Sequence, residues 1–401
     1  MAGLAAVLLL AALGPLSGLR QTAPALWDGL APGTHAAGFS VAMELDASRP
    51  LARGARRIQV TCWYPAADTG GQGLTYRDYF VLSAGEREPA SAEAKQAAVE
   101  AEKAFFASVG VKGSVVERWL DQPVYARADA PAAPGTFPLV LVAQGNGQSA
   151  HHQAILSEWL ASYGFVVCTT PSQARLGTSM TSEADVLPNA RAQAADLRIA
   201  ERYARARWRV RASAPGLVGH SFGARSALVL ASAGPAAAIV SLDGGIGAQE
   251  AREWVDGLGL DRARFTTPIL HVYEADDRAI TPDLRLIRSL DRSNRTIVKI
   301  DALRHIDFTS LGFGAAAIDG LTGEAPAALP AKVRAVAMLV LRFLDSAMNT
   351  DDRTFLTQIP PRPWMHVSKP RTTRIARIAG RRAGGTGHPP GAYNRLRRCL
   401  S

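Results

Sequence analysis

Leu217-Val218-Gly219-His220-Ser221-Phe222-Gly223-Ala224-Arg225-Ser226 decides how this chain is read. A short apolar run ends in Gly219, a serine stands between two glycines, and an alanine-rich helical pattern from Ala224 to Ala231 begins at once. This is G-x-S-x-G in a strand–turn–helix setting, where the motif carries chemical meaning. A serine raised above a strand end must sit in a strained turn. Side chains at 219 and 223 would collide with the neighbouring strand and helix, so both positions need glycine. The helix start supplies free N–H groups and a dipole that favour negative charge beside the hydroxyl. Ser221 is therefore the candidate nucleophile.

Outward from this turn, apolar strand-like runs alternate with helical patterns. Strands are expected at Pro138–Ala143, Phe165–Thr169, Leu217–Gly219, Ala237–Leu242, Pro268–Tyr273 and Thr296–Ile300. Helices are expected at 149–163, 185–209, 224–233, 249–256, 282–290 and 331–348. Such alternation predicts an α/β fold, one mostly parallel sheet covered by helices on both faces. Active groups then gather at the carboxyl ends of the strands. Before this region, Gly38–Leu45 and Arg57–Tyr64 read as an antiparallel pair opening the sheet. Residues 74–122 interrupt the pattern with a helix at Ala92–Ser108 capped by Ser91, an insertion read equally as a lid or as a decoration.

The chain has 401 residues, 47% hydrophobic and 20% charged, enough for one large domain at about 26–360 with a sizeable core. Its net charge of +10 is local. From Arg362 to Ser401 there are ten Lys/Arg and no Asp/Glu, which leaves residues 1–361 formally neutral. The fold itself asks for no nucleic-acid partner; the basic tail at 361–401, expected to be disordered from 366, reads as a loose cationic terminus without function, with transient contact with a membrane surface or a nucleic acid as the alternative. Residues 2–19 carry no charge, Leu4–Leu13 is apolar, and Ala23-Pro24-Ala25 offers a cleavage pattern. Residues 1–25 thus read as a signal peptide of a secreted or periplasmic protein, with an uncleaved anchor as the alternative. Cys62, Cys168 and Cys399 are too few for a disulfide framework, and the two in strands are expected to be buried inert thiols. Neither a metal cluster nor a cofactor fingerprint is legible. Oligomeric state is not encoded in any of these patterns.

An activated serine needs a base, and the base needs an orienting acid. Of eight histidines, His35, His151 and His152 precede the nucleophile, His220 lies inside the turn, His271 is mid-strand, and His366 and His388 belong to the tail. His305 remains, in a loop just past the last predicted parallel strand. For the acid, Asp243 and Asp277 stand at the ends of successive strands, and both preserve the order Ser…Asp…His. Oxyanion donors are expected from the N–H groups of Phe222 and of Asn146, the latter in Gln144-Gly145-Asn146-Gly147.

Gly38-Phe39, Asp46-Ala-Ser-Arg-Pro50, Trp63-Tyr64-Pro65, Gln144-Gly145-Asn146-Gly147, Gly219–Gly223, Ser241-Leu242-Asp243 and His305-x-Asp-Phe308 together resemble the platelet-activating-factor acetylhydrolase (isoform II) branch of the α/β-hydrolases. The similarity runs from about Gly38 to about Leu344, omitting the insertion and tail. It implies Asp243 as the acid and a calcium-independent serine esterase acting on short or oxidised acyl esters, including lipid esters. Gln144 stands where that family usually has histidine. A lactone, polyester or peptide hydrolase of the same fold is the alternative reading, and a catalytically silent fold used for binding is another.

Overall fold

The computed structural model describes residues 22–369, apart from 50–55, 68–69, 178–181, 250, 278, 324 and 351–353. The predicted signal peptide lies largely outside the described residues, as does the tail beyond Lys369. Eleven strands build one sheet: β1 (Ala36–Asp46), β2 (Arg56–Ala66), β3 (Gln72–Thr75), β4 (Pro123–Ala128), β5 (Leu139–Ala143), β6 (Val166–Thr170), β7 (Gly216–His220), β8 (Ala238–Leu242), β9 (Ile269–Tyr273), β10 (Arg295–Ile300) and β11 (Met365–Ser368). Their spatial order is β11-β10-β9-β8-β7-β5-β6-β2-β1-β4-β3.

The six strands β5 to β10 are parallel, and β2 joins β6 antiparallel. Within this block the chain steps from β5 to β6 on one side and then to β7 on the other. That reversal lies at the carboxyl ends of β5 and β7, the usual place for a site in a wound sheet. The period-two alternation of a strand sends neighbouring side chains to opposite faces. Val140, Val142 and Val218 join the core on one face; Leu139, Leu141 and Leu217 join the core on the other. Both faces are apolar because both are covered. Helices Ala154–Ser162, Ser310–Ala317 and Leu329–Asp345 lie on the first, and Val186–Arg207 and Gly223–Ser232 on the second.

The antiparallel β1–β2 pair forms as expected, and its register explains two of the motif residues. Gly38 faces Tyr64 across the ladder, and a Cβ at 38 would overlap the Tyr64 ring. Tyr64 Oη then donates to Ala130 O at 2.7 Å. Trp63, on the other face, sits 5.5 Å from the Phe39 ring and 5.6 Å from that of Tyr79.

Three expectations are corrected. Cys62 and Cys168 are not free thiols but a disulfide between β2 and β6, because antiparallel pairing places them directly opposite each other. The tail does not lose order at 366: Met365–Ser368 adds an antiparallel edge strand to β10, its ladder bonds needing no apolar side chains. The insertion is also bounded differently, since residues 72–75 and 123–128 are strands paired with one another at the opposite edge. Between them, helix Ala92–Ser108 is capped by Ser91 as read. Tyr76, Phe80, Phe106 and Trp119 of this region are fully buried, with Tyr76 stacked on Trp119 at 4.5 Å. The insertion is thus packed into the same apolar core as the sheet.

Candidate active site

Ser221 follows β7 directly with φ +53°, a left-handed backbone that a non-glycine residue adopts only under constraint. The constraint is visible. Ser221 N donates to Leu242 O at 3.1 Å, and Ser221 O accepts from Gly245 N at 2.8 Å. A Cβ at 219 would overlap the Ala224 backbone, and one at 223 the carbonyl of Ala143. Those close approaches let the helix Gly223–Ser232 start immediately above the strand.

Asp243 ends β8, also in a left-handed conformation (φ +41°), with its N–H bonded to Val272 O at 2.7 Å. Its Oδ2 lies 2.5 Å from His305 Nδ1. Asp243 is only 2% exposed, whereas the His305 side chain keeps 19%, so the acid is shielded while the ring edge reaches solvent. Asp277 does different work: its Oδ2 accepts the backbone N–H of His305 at 2.8 Å and so caps the short turn His305–Phe308. Asp307 pairs with Arg304 rather than with His305. The His305 Nε2 and the Ser221 Oγ make no hydrogen bond among the described residues.

Two further residues shape this corner. His220 is fully buried, with Nδ1 3.0 Å from Gln148 Oε1 and Nε2 3.0 Å from His305 O. Its ring packs 4.6 Å from that of His305. Burial, aided by the neighbouring His305, pushes its pKa well below the ordinary histidine range. Glu274, at the end of β9, accepts the Asp277 N–H at 2.6 Å and thereby shapes the loop that holds His305. Burial, with Asp243 and Asp277 adding, pushes Glu274 up to about 7. Sequence reasoning missed Gln148 and Glu274 and set His220 aside. The acidic run Glu274-Ala-Asp-Asp277 was the one available signal. His271 is packed as expected, bonded to Ser241 Oγ at 2.9 Å, with burial lowering its pKa to about 3.

After β5, Gly145 N donates to Gln148 Oε1 at 2.8 Å and Gln148 N to Gly145 O at 3.1 Å, making a tight turn with Asn146 exposed at its tip. Gln144 is buried instead, donating to Thr169 Oγ1 at 3.0 Å while its carbonyl accepts from Gln193. The N–H groups of Asn146 and Phe222 make no hydrogen bond among the described residues. A polar cleft of about 490 Å³ opens beside Gly147, lined by Ser83, Glu86, Arg87 and Arg175.

A wound, mostly parallel sheet of this kind is matched among solved structures. A ferulic acid esterase from Streptomyces cinnamoneus is similar with a TM-score of 0.58 at 21% identity, over 84% of this chain and 98% of that one. The fold is that of the α/β-hydrolases. No family model matches the chain, and no curated protein does. Among the described residues no helix is long and apolar enough to cross a membrane.

Proposed function

We propose that this chain is a serine carboxylester hydrolase working through an acyl-enzyme. The observation that carries the reading is the 2.5 Å contact between Asp243 and His305 at the strand ends beside the strained Ser221. In this reading Ser221 Oγ attacks the ester carbonyl and His305 Nε2 takes its proton. Asp243 holds the ring in the tautomer with Nδ1 protonated and stabilises the imidazolium. The carbonyl oxygen becomes an oxyanion that accepts the N–H groups of Phe222 and Asn146. His305 then protonates the leaving alkoxide, and water, activated by the same ring, releases the acid and frees Ser221.

The acyl group is the less constrained part. The resemblance to the platelet-activating-factor acetylhydrolases favours short or oxidised acyl chains on a small-molecule or lipid ester. The neighbour's name favours a ferulic ester, whose acid is aromatic. The Cys62–Cys168 disulfide supports an oxidising compartment, in keeping with secretion.

The test is hydrolysis of p-nitrophenyl esters of graded acyl length, methyl ferulate and a peptide anilide, with organophosphonate labelling located by mass spectrometry. We expect ester turnover, labelling on Ser221 and loss of both in Ser221→Ala. A chain that labels nowhere and cleaves no ester is a binding module built on this fold. Turnover of the anilide above every ester makes it a peptidase.

A further inference from the structure

Behind the donor turn, outside the machinery assigned above, three side chains from two distant stretches converge. Glu102 comes from the insertion helix Ala92–Ser108, and His151 and His152 from the turn Ala150–Gln153. All three are buried, and one donor atom from each lies within 4.8 Å of the others. Nε2 of His151 stands 3.2 Å from Glu102 Oε2. Yet neither that nitrogen nor Nε2 of His152 makes a hydrogen bond among the described residues. The buried Nε2 of His152 is left without a partner and that of His151 has only the Glu102 carboxylate, and a cation shared among the three groups satisfies both rings. We propose that Glu102, His151 and His152 form a zinc site, with water completing a four-coordinate shell.

The surroundings suit that assignment. Nδ1 of His151 lies 3.4 Å from Tyr76 Oη, and Nδ1 of His152 lies 3.3 Å from Ser149 O. Each ring can donate its proton there and turn an Nε2 lone pair toward the metal, the usual outer support of a ligating histidine. In the other tautomer His152 Nδ1 accepts the Ser149 N–H at 3.2 Å and strands an Nε2 proton in the interior. Glu102 divides its oxygens: Oε1 accepts from Arg175 Nη1 at 2.7 Å, and Oε2 faces His151. Arg175 is also paired with Glu86 at 2.6 Å, so two carboxylates share one guanidinium. Two imidazoles and one carboxylate are a zinc donor set, and ligand bonds of about 2.0–2.2 Å would draw the loosest pair inward by roughly 1.5 Å. The metal would clamp the insertion helix to the turn that follows the donor loop, in the way a disulfide does.

Full-length protein is stripped with a chelator, reloaded with zinc chloride, desalted and assayed by elemental mass spectrometry. We expect one zinc per chain and a rise of ~4 °C in Tm at zinc well above Kd. Co2+ loaded in place of zinc should give the intense visible absorption of a four-coordinate site. His152→Ala and Glu102→Gln should each lose the stoichiometric metal, and Ser221→Ala should keep it. A wild-type chain that holds well under one equivalent, with no thermal shift and no four-coordinate cobalt spectrum, overturns the site without recourse to any variant. Equal zinc in wild type and a folded His152→Ala also overturns it, since the metal then lies elsewhere.

Discussion

At His305 two aspartates hold different atoms. Asp243 takes the ring Nδ1, and Asp277 takes the backbone N–H of the same residue. Both stand at strand ends ahead of the histidine, which is why local sequence left them even. The packed loops separated them: Asp243, in a left-handed turn directly after β8, brings its carboxylate to the ring Nδ1, whereas the Asp277 loop, bonded to Glu274, brings its carboxylate to the backbone N–H. Asp243→Asn should lower kcat by ~10³–10⁴ while the fold is kept, because the ring is then held in the wrong tautomer. Asp277→Asn keeps an acceptor for the His305 N–H and should retain most of the turnover. Steady-state kinetics on a p-nitrophenyl ester, with circular dichroism of each variant, checks both. A larger loss at Asp277 would reverse the assignment.

Among the elements, the hairpin of β1 and β2 and the helix Val186–Arg207 are joined by a buried charge cluster. The Asp196 carboxylate is fully buried and takes Arg56 in a two-pronged pair at 2.8 and 2.9 Å, together with Arg49 and Gln173. Arg49 also bonds Asp46 at 2.7 Å. The Asp46-Ala-Ser-Arg stretch, which in sequence served the family resemblance, is thus the hairpin's anchor on that helix. Asp196→Ala leaves two guanidinium groups facing a site without its anion. It should cost about 3–5 kcal/mol, read as a lower midpoint in chemical denaturation. A change below about 1 kcal/mol would mean that water replaces the carboxylate. Element existence was legible wherever apolar periodicity was strong, as in β5 to β10. It failed at the outer strands β3, β4 and β11; in β3 and β11 ladder bonds rather than buried side chains do the holding and leave little trace in composition, whereas β4 buries Val124, Tyr125 and Ala126 in the core.

For the molecule as a whole, the Cys62–Cys168 bond closes a loop with a sequence separation of 106 between the hairpin and the wound half of the sheet. Cross-links of such span typically contribute about 2–5 kcal/mol, chiefly by restricting the unfolded chain. Reduction, or the double variant Cys62→Ala/Cys168→Ala, should therefore lower Tm markedly. Ester turnover at 25 °C should persist, since neither sulfur belongs to the site. Differential scanning calorimetry with and without reductant checks this; an unchanged Tm would show that sheet packing alone carries the junction.

By itself, the order of residues determined the alternation of strands and helices, the glycine-bounded serine turn, and the short set of groups at the strand ends. These are local: a motif needs only its neighbours, and a buried strand must be apolar whatever lies across from it. Tertiary structure alone decided which atom of His305 each aspartate meets and that two cysteines 106 positions apart share a bond. It also decided that Glu102 comes to rest against His151 and His152. Each of those facts depends on register between strands or on where an inserted helix docks, and such distances belong to the packed sheet rather than to spacing along the chain.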